Sequence, residues 1–406
     1  MEKETTVRNQ AIPIPKNGAI LSQKMQNDSG ESIQLEIAPV TAFKLLEPKK
    51  QPFSCHISTF CMKSSTSICR ILGSKSVVSV IEDGNEVYFS PLNEDPKSVD
   101  CFYHRGLDLY LIYDMNSGIW AKKADSSPPK LILSFDEIFE EGYSDKIFVK
   151  DRGVFMRPMG VDQGVLVFCD PKKSQLVFCW IGVETDFEKL RPEVIGRIEL
   201  DKTARWFVDF KVFGSNFQNL LLLKNDFCIT VFEISASDHG IDSKILVQKQ
   251  KLEELEKGES AKFVRFDPLS EYFFVLTGTV ERARRAFLYK IQQNGGQNFD
   301  FELVSNLKVS ARRRENLKPS AVIRCQDKLI LTAYGNFDDD DRFYGFFLSF
   351  VYPGGQDASG KPCLTKLEEL KWKRGTYSYC EMRETSGKVY CMNWSNCLYE
   401  LSYTLN

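Results

Sequence analysis

Six arginines in two short runs are the residues of this chain best suited to recognition chemistry. Glu281-Arg282-Ala283-Arg284-Arg285 carries three of them, and Arg312-Arg313-Arg314 the rest. A guanidinium presents its donors in a planar fork that matches a carboxylate or a phosphate, so the runs suit an acidic peptide, a phosphorylated partner or an RNA backbone. A run of opposite sign follows at Asp338, Asp339, Asp340 and Asp341, with Phe337 just before it. An aromatic at the tip of such a loop is suited to anchor a partner. The alternative reading of the acidic loop is that it neutralises the arginines in solvent.

Catalytic and metal chemistry is harder to assemble. The acidic run has neither the glycine nor the distal glutamate of a calcium-binding loop. With His56, His104 and His239 as the only histidines, the nearest approach to a zinc site is Cys55-His56 with Cys61, which lacks paired ligand spacing. There is no nucleophile elbow of the G-x-S-x-G kind and no glycine-rich phosphate loop. The expectation is therefore no catalytic residue, no metal and no cofactor. The twelve cysteines form no C-x-x-C pair, and most, including Cys69, Cys169, Cys179, Cys228 and Cys325, lie in or beside apolar runs. There a cysteine acts as a small hydrophobe, which points to a reducing compartment, the cytosol or the nucleus.

The elements that must position these groups follow from composition and period. Lys plus Arg is 53 against Asp plus Glu 55, so a formal charge of −2 gives no global pull toward nucleic acid or an anionic membrane. No apolar run reaches the roughly 18 residues needed to span a bilayer, so no membrane insertion is expected, and the N-terminus lacks the hydrophobic segment of a secretory signal. Thirty Phe and 15 Tyr favour strands. Residues 1–31 are polar and broken by Pro13, Pro15 and Gly18, which reads as a disordered tail, and 32–406 as one folded domain.

Within that domain short apolar runs recur in groups of four. The clearest is Ala261 to Gln293 with its continuation through Val309: Phe263–Phe266 and Tyr272–Leu276 joined by Asp267-Pro268, then Ala286–Ile291. One residue from each first run, Phe102, Val154, Val208, Val264, Val322 and Tyr379, gives successive intervals of 52 to 58 residues. Such spacing predicts an all-β chain, a β-propeller of about seven four-stranded blades. Second runs such as LYLIY, VLVF and FFVL are apolar without alternation, as strands covered on both faces would be. The last unit supplies only three strands, so an N-terminal strand near Ser32–Ala38 or Phe43–Leu46 is expected to close the ring. In an antiparallel meander the loop between second and third strands lies at the same end as the loop to the next unit. Arg282, Arg284, Arg285, Arg312, Arg313 and Arg314 then share one rim with Phe337 and the acidic loop.

The period and the four-strand meander resemble the WD40-type β-propeller superfamily over about Ser32 to Asn406, although its Gly-His and Trp-Asp dipeptides are absent. Tyr113-Asp114 with Trp120 is similar to a kelch blade, the second choice. The blade period, the cysteines of a reducing compartment and the absence of a catalytic constellation point to a non-catalytic scaffold that binds other proteins through its rim as a subunit of an intracellular complex. Two alternatives stay open: a propeller hydrolase with a site in the central channel, and an RNA-associated propeller that uses the arginine rim.

Overall fold

The computed structural model describes residues 12–13, 21–26, 32–39, 57–64, 66–72, 77–92, 100–114, 117–139, 156–158, 165–170, 175–182, 190, 192–200, 207–213, 219–224, 227–237, 240–267, 270–279, 282–294, 298–309, 316–318, 322–339, 342–367, 370–373, 380–385, 388–393 and 398–405. Strands dominate, and the helical content of these residues is one turn, α1 (Phe135–Phe139).

Three strands come first: β1 (Ile12–Pro13), β2 (Leu21–Gln26) and β3 (Ser32–Pro39). The first sheet is β4 (Ile57–Ser64), β5 (Ser67–Leu72), β6 (Val77–Glu82) and β7 (Asn85–Pro91). The second is β8 (Asp100–His104), β9 (Leu109–Asp114), β10 (Gly118–Lys122) and β11 (Lys130–Ser134). The third is β12 (Met156–Pro158), β13 (Val165–Asp170), β14 (Gln175–Trp180) and β15 (Glu193–Glu199). The fourth is β16 (Phe207–Phe213), β17 (Asn219–Lys224), β18 (Cys228–Ser237) and β19 (Gly240–Lys251). The fifth is β20 (Ser260–Phe266), β21 (Tyr272–Thr279), β22 (Arg282–Asn294) and β23 (Asn298–Lys308). Each is an antiparallel meander in sequence order. Turn chemistry sets the registers locally: Glu82 pairs with Asn85 across Asp83-Gly84, both at positive φ, 48° and 80°. Two consecutive positive-φ residues favour the tight hairpin whose twist matches the strands, and Asp-Gly adopts it readily.

The sixth sheet contains β24 (Asn316–Lys318), β25 (Val322–Cys325), β26 (Lys328–Asp339), β27 (Arg342–Gln356), β28 (Pro362–Lys366) and β29 (Leu370–Lys373). The seventh contains β30 (Cys380–Thr385), β31 (Lys388–Asn393) and β32 (Leu398–Leu405).

These two sheets correct the expectation of a ring of about seven four-stranded blades closed by an N-terminal strand. Five sheets have four strands, but the sixth has seven and the last five, and every sheet is open rather than closed on itself. Strand length is the reason. At 12 and 15 residues, β26 and β27 outrun any single partner. One end of β26 pairs with β25 and the other with β24, while β27 pairs with β28 and β29 in the same divided way. The N-terminal stretch adds the rest. β1 lies parallel to β29, β3 pairs antiparallel with β32, and β2 is a further strand outside β3.

The core lies between sheets, and the period of a strand explains how one strand serves two interfaces. Successive side chains of a strand point to opposite faces. On β9, Tyr110 and Ile112 pack with the first sheet, while Leu109, Leu111 and Tyr113 pack with the third. On β21, Phe273 and Val275 face the fourth sheet, and Phe274 and Leu276 the sixth. All six residues of β9 are buried, which is why its sequence shows no polar alternation. Further clusters join the third sheet to the fourth and Tyr390 of the last sheet to Phe60, Met62 and Ile68 of the first. Between the sixth and seventh sheets a polar lock is found: the buried Tyr403 hydroxyl lies 2.7 Å from Ser349 Oγ and 2.5 Å from Thr332 Oγ1.

Close approach of two sheets also fixes a glycine. A Cβ on Gly196 of β15 would sit 2.7 Å from Ile241 Cβ and 3.2 Å from its backbone nitrogen on β19. Gly196→Val is expected to lower stability by about 1–3 kcal/mol, because backbone must move to admit the side chain. A urea titration checks this, and an unchanged midpoint would show that the two sheets are not held at this spacing.

Candidate partner-binding surface

Arg282–Arg285 and the start of the acidic run fall on two hairpins, and β24 touches a strand of each. β22 begins at Arg282, paired with Thr279 on β21, so the first arginines belong to a strand and not to a loop. The register then shifts: Gly278 opposes Ala283 and Thr277 opposes Arg285, which leaves Arg284 as the extra residue of a bulge. A bulge breaks strand alternation and bends the strand that carries it. In the sixth sheet Phe337 pairs with Tyr344, Asp338 with Phe343 and Asp339 with Arg342. Phe337 is therefore a strand residue and not a loop tip, and the acidic run starts within β26. β24 pairs with β26 at Tyr334, Gly335 and Asn336, and it also lies beside β22. β24 thus touches both the strand that begins with the arginines and the strand that ends in the acidic run. Arg312, Arg313, Arg314, Asp340 and Asp341 lie outside the described residues.

Arg285 has a different place from its neighbours. Its Nη2 donates to Glu259 Oε2 at 2.5 Å and its Nε to Glu259 Oε1 at 3.1 Å. A further bond from Nη2 reaches the Glu254 carbonyl at 2.9 Å, and the guanidinium stands 5.0 Å over the Phe287 ring. The Glu259 side chain is 1% exposed and that of Arg285 23%. Thr277 Oγ1 donates to the same carboxylate, as does the Glu256 N–H at 2.9 Å. Burial pushes the Glu259 carboxyl up, and the hydrogen bonds from Arg285, Thr277 and Glu256 outweigh it, holding the group below its usual range. Hydrogen bonding to Glu259 raises Arg285 in turn. The cation that sequence placed in the recognition patch pins the 252–259 segment to the fifth sheet.

A second buried carboxylate works in the same way between sheets. Asp267, in the turn after β20, accepts from Arg324 of β25, with Nε at 3.0 Å, and from Ser270. Neither Glu259 nor Asp267 stands out in sequence, since each is one acid among many. The available signal was local: Asp267 sits in the Asp-Pro turn, and an acid that must accept several donors is a common device for fixing such a turn.

Among the described residues no group of three or more His, Cys, Asp or Glu could hold a metal ion, and no helix is long and apolar enough to cross a membrane.

No protein-family model matches the chain, and no curated protein does. Several solved structures are similar to it. One is the WD40 domain of SCAP from fission yeast, at 11% identity and a TM-score of 0.45, over 92% of this chain and 90% of that one. Another is the WD40 β-propeller domain of Doa1, at 9% identity and a TM-score of 0.43, over 87% of this chain and 94% of that one. A third is a chain of the mitotic checkpoint complex, at 9% identity and a TM-score of 0.48, over 100% of this chain and 98% of that one. Likeness at this level carries no argument about the fold or the function of this chain.

Proposed function

We propose that the chain is a non-catalytic binding protein, a scaffold subunit of a multiprotein assembly, and that the paired hairpins β21–β22 and β26–β27 form part of its partner-facing surface. The observation that supports this reading is the contact of β24 with both β22 and β26. Arg282 and Arg284 belong to one of these hairpins, and Phe337, Asp338 and Asp339 to the other. A surface with both signs of charge next to an aromatic suits a protein partner of complementary pattern, since like charges disfavour wrong partners and an aromatic supplies apolar contact.

The test separates this surface from the internal ion pair. Arg282→Glu with Arg284→Glu, made together in a tagged chain, is expected to weaken capture of the partner about tenfold or more, the effect of roughly 1.4 kcal/mol at an interface. The unfolding midpoint should stay within a degree or two of the parent, the size of surface effects. Undiminished capture by the folded double variant would remove these hairpins from the interface.

A further inference from the structure

Three thiols meet between the first and second sheets. Cys61 on β4 and Cys69 on β5 are directly opposed in the antiparallel register, and Cys101 on β8 joins them from the second sheet within one apolar cluster. They are 4%, 0% and 2% exposed, and none of the three is in a disulfide. Cys101 Sγ lies 4.0 Å from the Cys69 carbonyl oxygen, which brings these two thiol-bearing residues into contact across the sheets.

The polar groups around them make the three unequal. Hydrogen bonds from Cys101 and Cys61 hold the Cys69 thiol well below its ordinary value, with the charges of Lys122 and Arg70 acting in the same direction against burial. Burial, with hydrogen bonds to Cys101 and Cys69, pushes Cys61 up. Lys122 is fully buried, its ammonium donating to the Asp125 carbonyl at 2.7 Å and lying 4.8 Å from the Tyr88 ring centroid. A fixed cation beside a thiol favours the thiolate, the form that reacts.

Strand geometry then selects a pair. Directly opposed residues of an antiparallel ladder keep their Cβ atoms about 4.5–5.5 Å apart, wider than the roughly 3.5–4.5 Å of a disulfide. That spacing disfavours Cys61 with Cys69. Cys101 comes from another sheet and is not bound by it.

We propose that Cys69 and Cys101 are an oxidisable pair, a modification site at which a hydroperoxide creates a disulfide between the first and second sheets. The Cys69 sulfur attacks one peroxide oxygen, the O–O bond breaks, and the leaving hydroxide takes the thiol proton to become water. Cys101 sulfur then attacks the sulfenic sulfur, the S–O bond breaks, and the hydroxide leaves as a second water with the Cys101 proton. Two thiols lose two electrons and two protons, and hydrogen peroxide is reduced to two waters.

Trypsin separates the three cysteines into peptides 51–63 (which also holds Cys55), 64–70 and 98–105, so a link between the last two maps the product directly. The folded full chain is treated with hydrogen peroxide, quenched with catalase and N-ethylmaleimide, and digested without reductant. The expected product is peptide 64–70 linked to 98–105, lighter than the sum by two hydrogens. It should vanish in Cys101→Ser and persist in Cys61→Ser. A link between 51–63 and 64–70, sulfinic acid on Cys69 without a link, or three thiols still alkylated as in the untreated chain would each overturn the proposal. The wild-type map decides by itself, so a variant that fails to fold leaves the test intact.

Discussion

Arg285→Leu is expected to lower the unfolding free energy by about 2–4 kcal/mol, because it leaves the buried Glu259 carboxylate without its cation. Removing one partner of a buried pair costs more than the pair itself contributes, since the remaining charge keeps its desolvation cost and loses its compensation. Urea titration of the parent, Arg285→Leu, Glu259→Leu and the double variant measures it. The double variant should be more stable than Arg285→Leu alone, which is the mark of direct coupling. The pH dependence has a fixed sign. Glu259 is held below its ordinary value of 4.5 in the folded chain, so its contribution is whole above about that pH and is lost as pH falls through the lower folded value. The gap between parent and Arg285→Leu should therefore narrow on acidification below 4.5. A gap that is small at neutral pH, or that widens in acid, would show that the ion pair does not hold the 252–259 segment.

Phe273→Ala is expected to cost about 3–5 kcal/mol, the range for deleting a fully buried aromatic. Phe273 is 0% exposed and stacks on Tyr289 at 5.2 Å between centroids. It also meets Phe266 at 5.3 Å and Phe301 at 6.5 Å. The ring lies in the cluster between the fourth and fifth sheets, where neighbours anchored in two ladders cannot collapse into the space it leaves. Phe266→Ala, at a half-buried neighbour in the same cluster, should cost less. Equal effects at the two positions, or a loss under about 1 kcal/mol at Phe273, would mean that the interface between these sheets repacks freely.

The two positions differ in how plainly the sequence shows them. A run such as YFFVL on β21 is apolar at every position because it feeds two interfaces, and that pattern is visible without coordinates. The same holds for LYLIYD on β9. The near-constant interval between first strands was visible too: Phe102, Val208, Val264 and Val322 lie on β8, β16, β20 and β25, while Val154 and Tyr379 lie outside the described residues. Hidden from the pattern were features that depend on length and pairing rather than on composition. Nothing in KLILTAYGNFDD says that its two ends take different partners, so the seven-stranded sheet was missed. The apolar residues of β1 and β2 are too few to announce strands, and their pairing with β29 and β3 is set by what lies opposite. For the candidate surface, sequence marked Arg282, Arg284, Phe337 and the aspartates by type. It could not tell Arg285 from its neighbours, because the carboxylate that engages it is 26 residues away.

The central claim, that the chain works as a scaffold subunit, is tested most directly by what accompanies it when a tagged form is extracted gently and resolved by size exclusion with mass spectrometry. The expected result is a stoichiometric set of other proteins eluting with the chain, reduced when Arg282 and Arg284 are both replaced by glutamate. Elution as a lone 46.5 kDa monomer, unaltered by those substitutions and without stoichiometric companions, would contradict it.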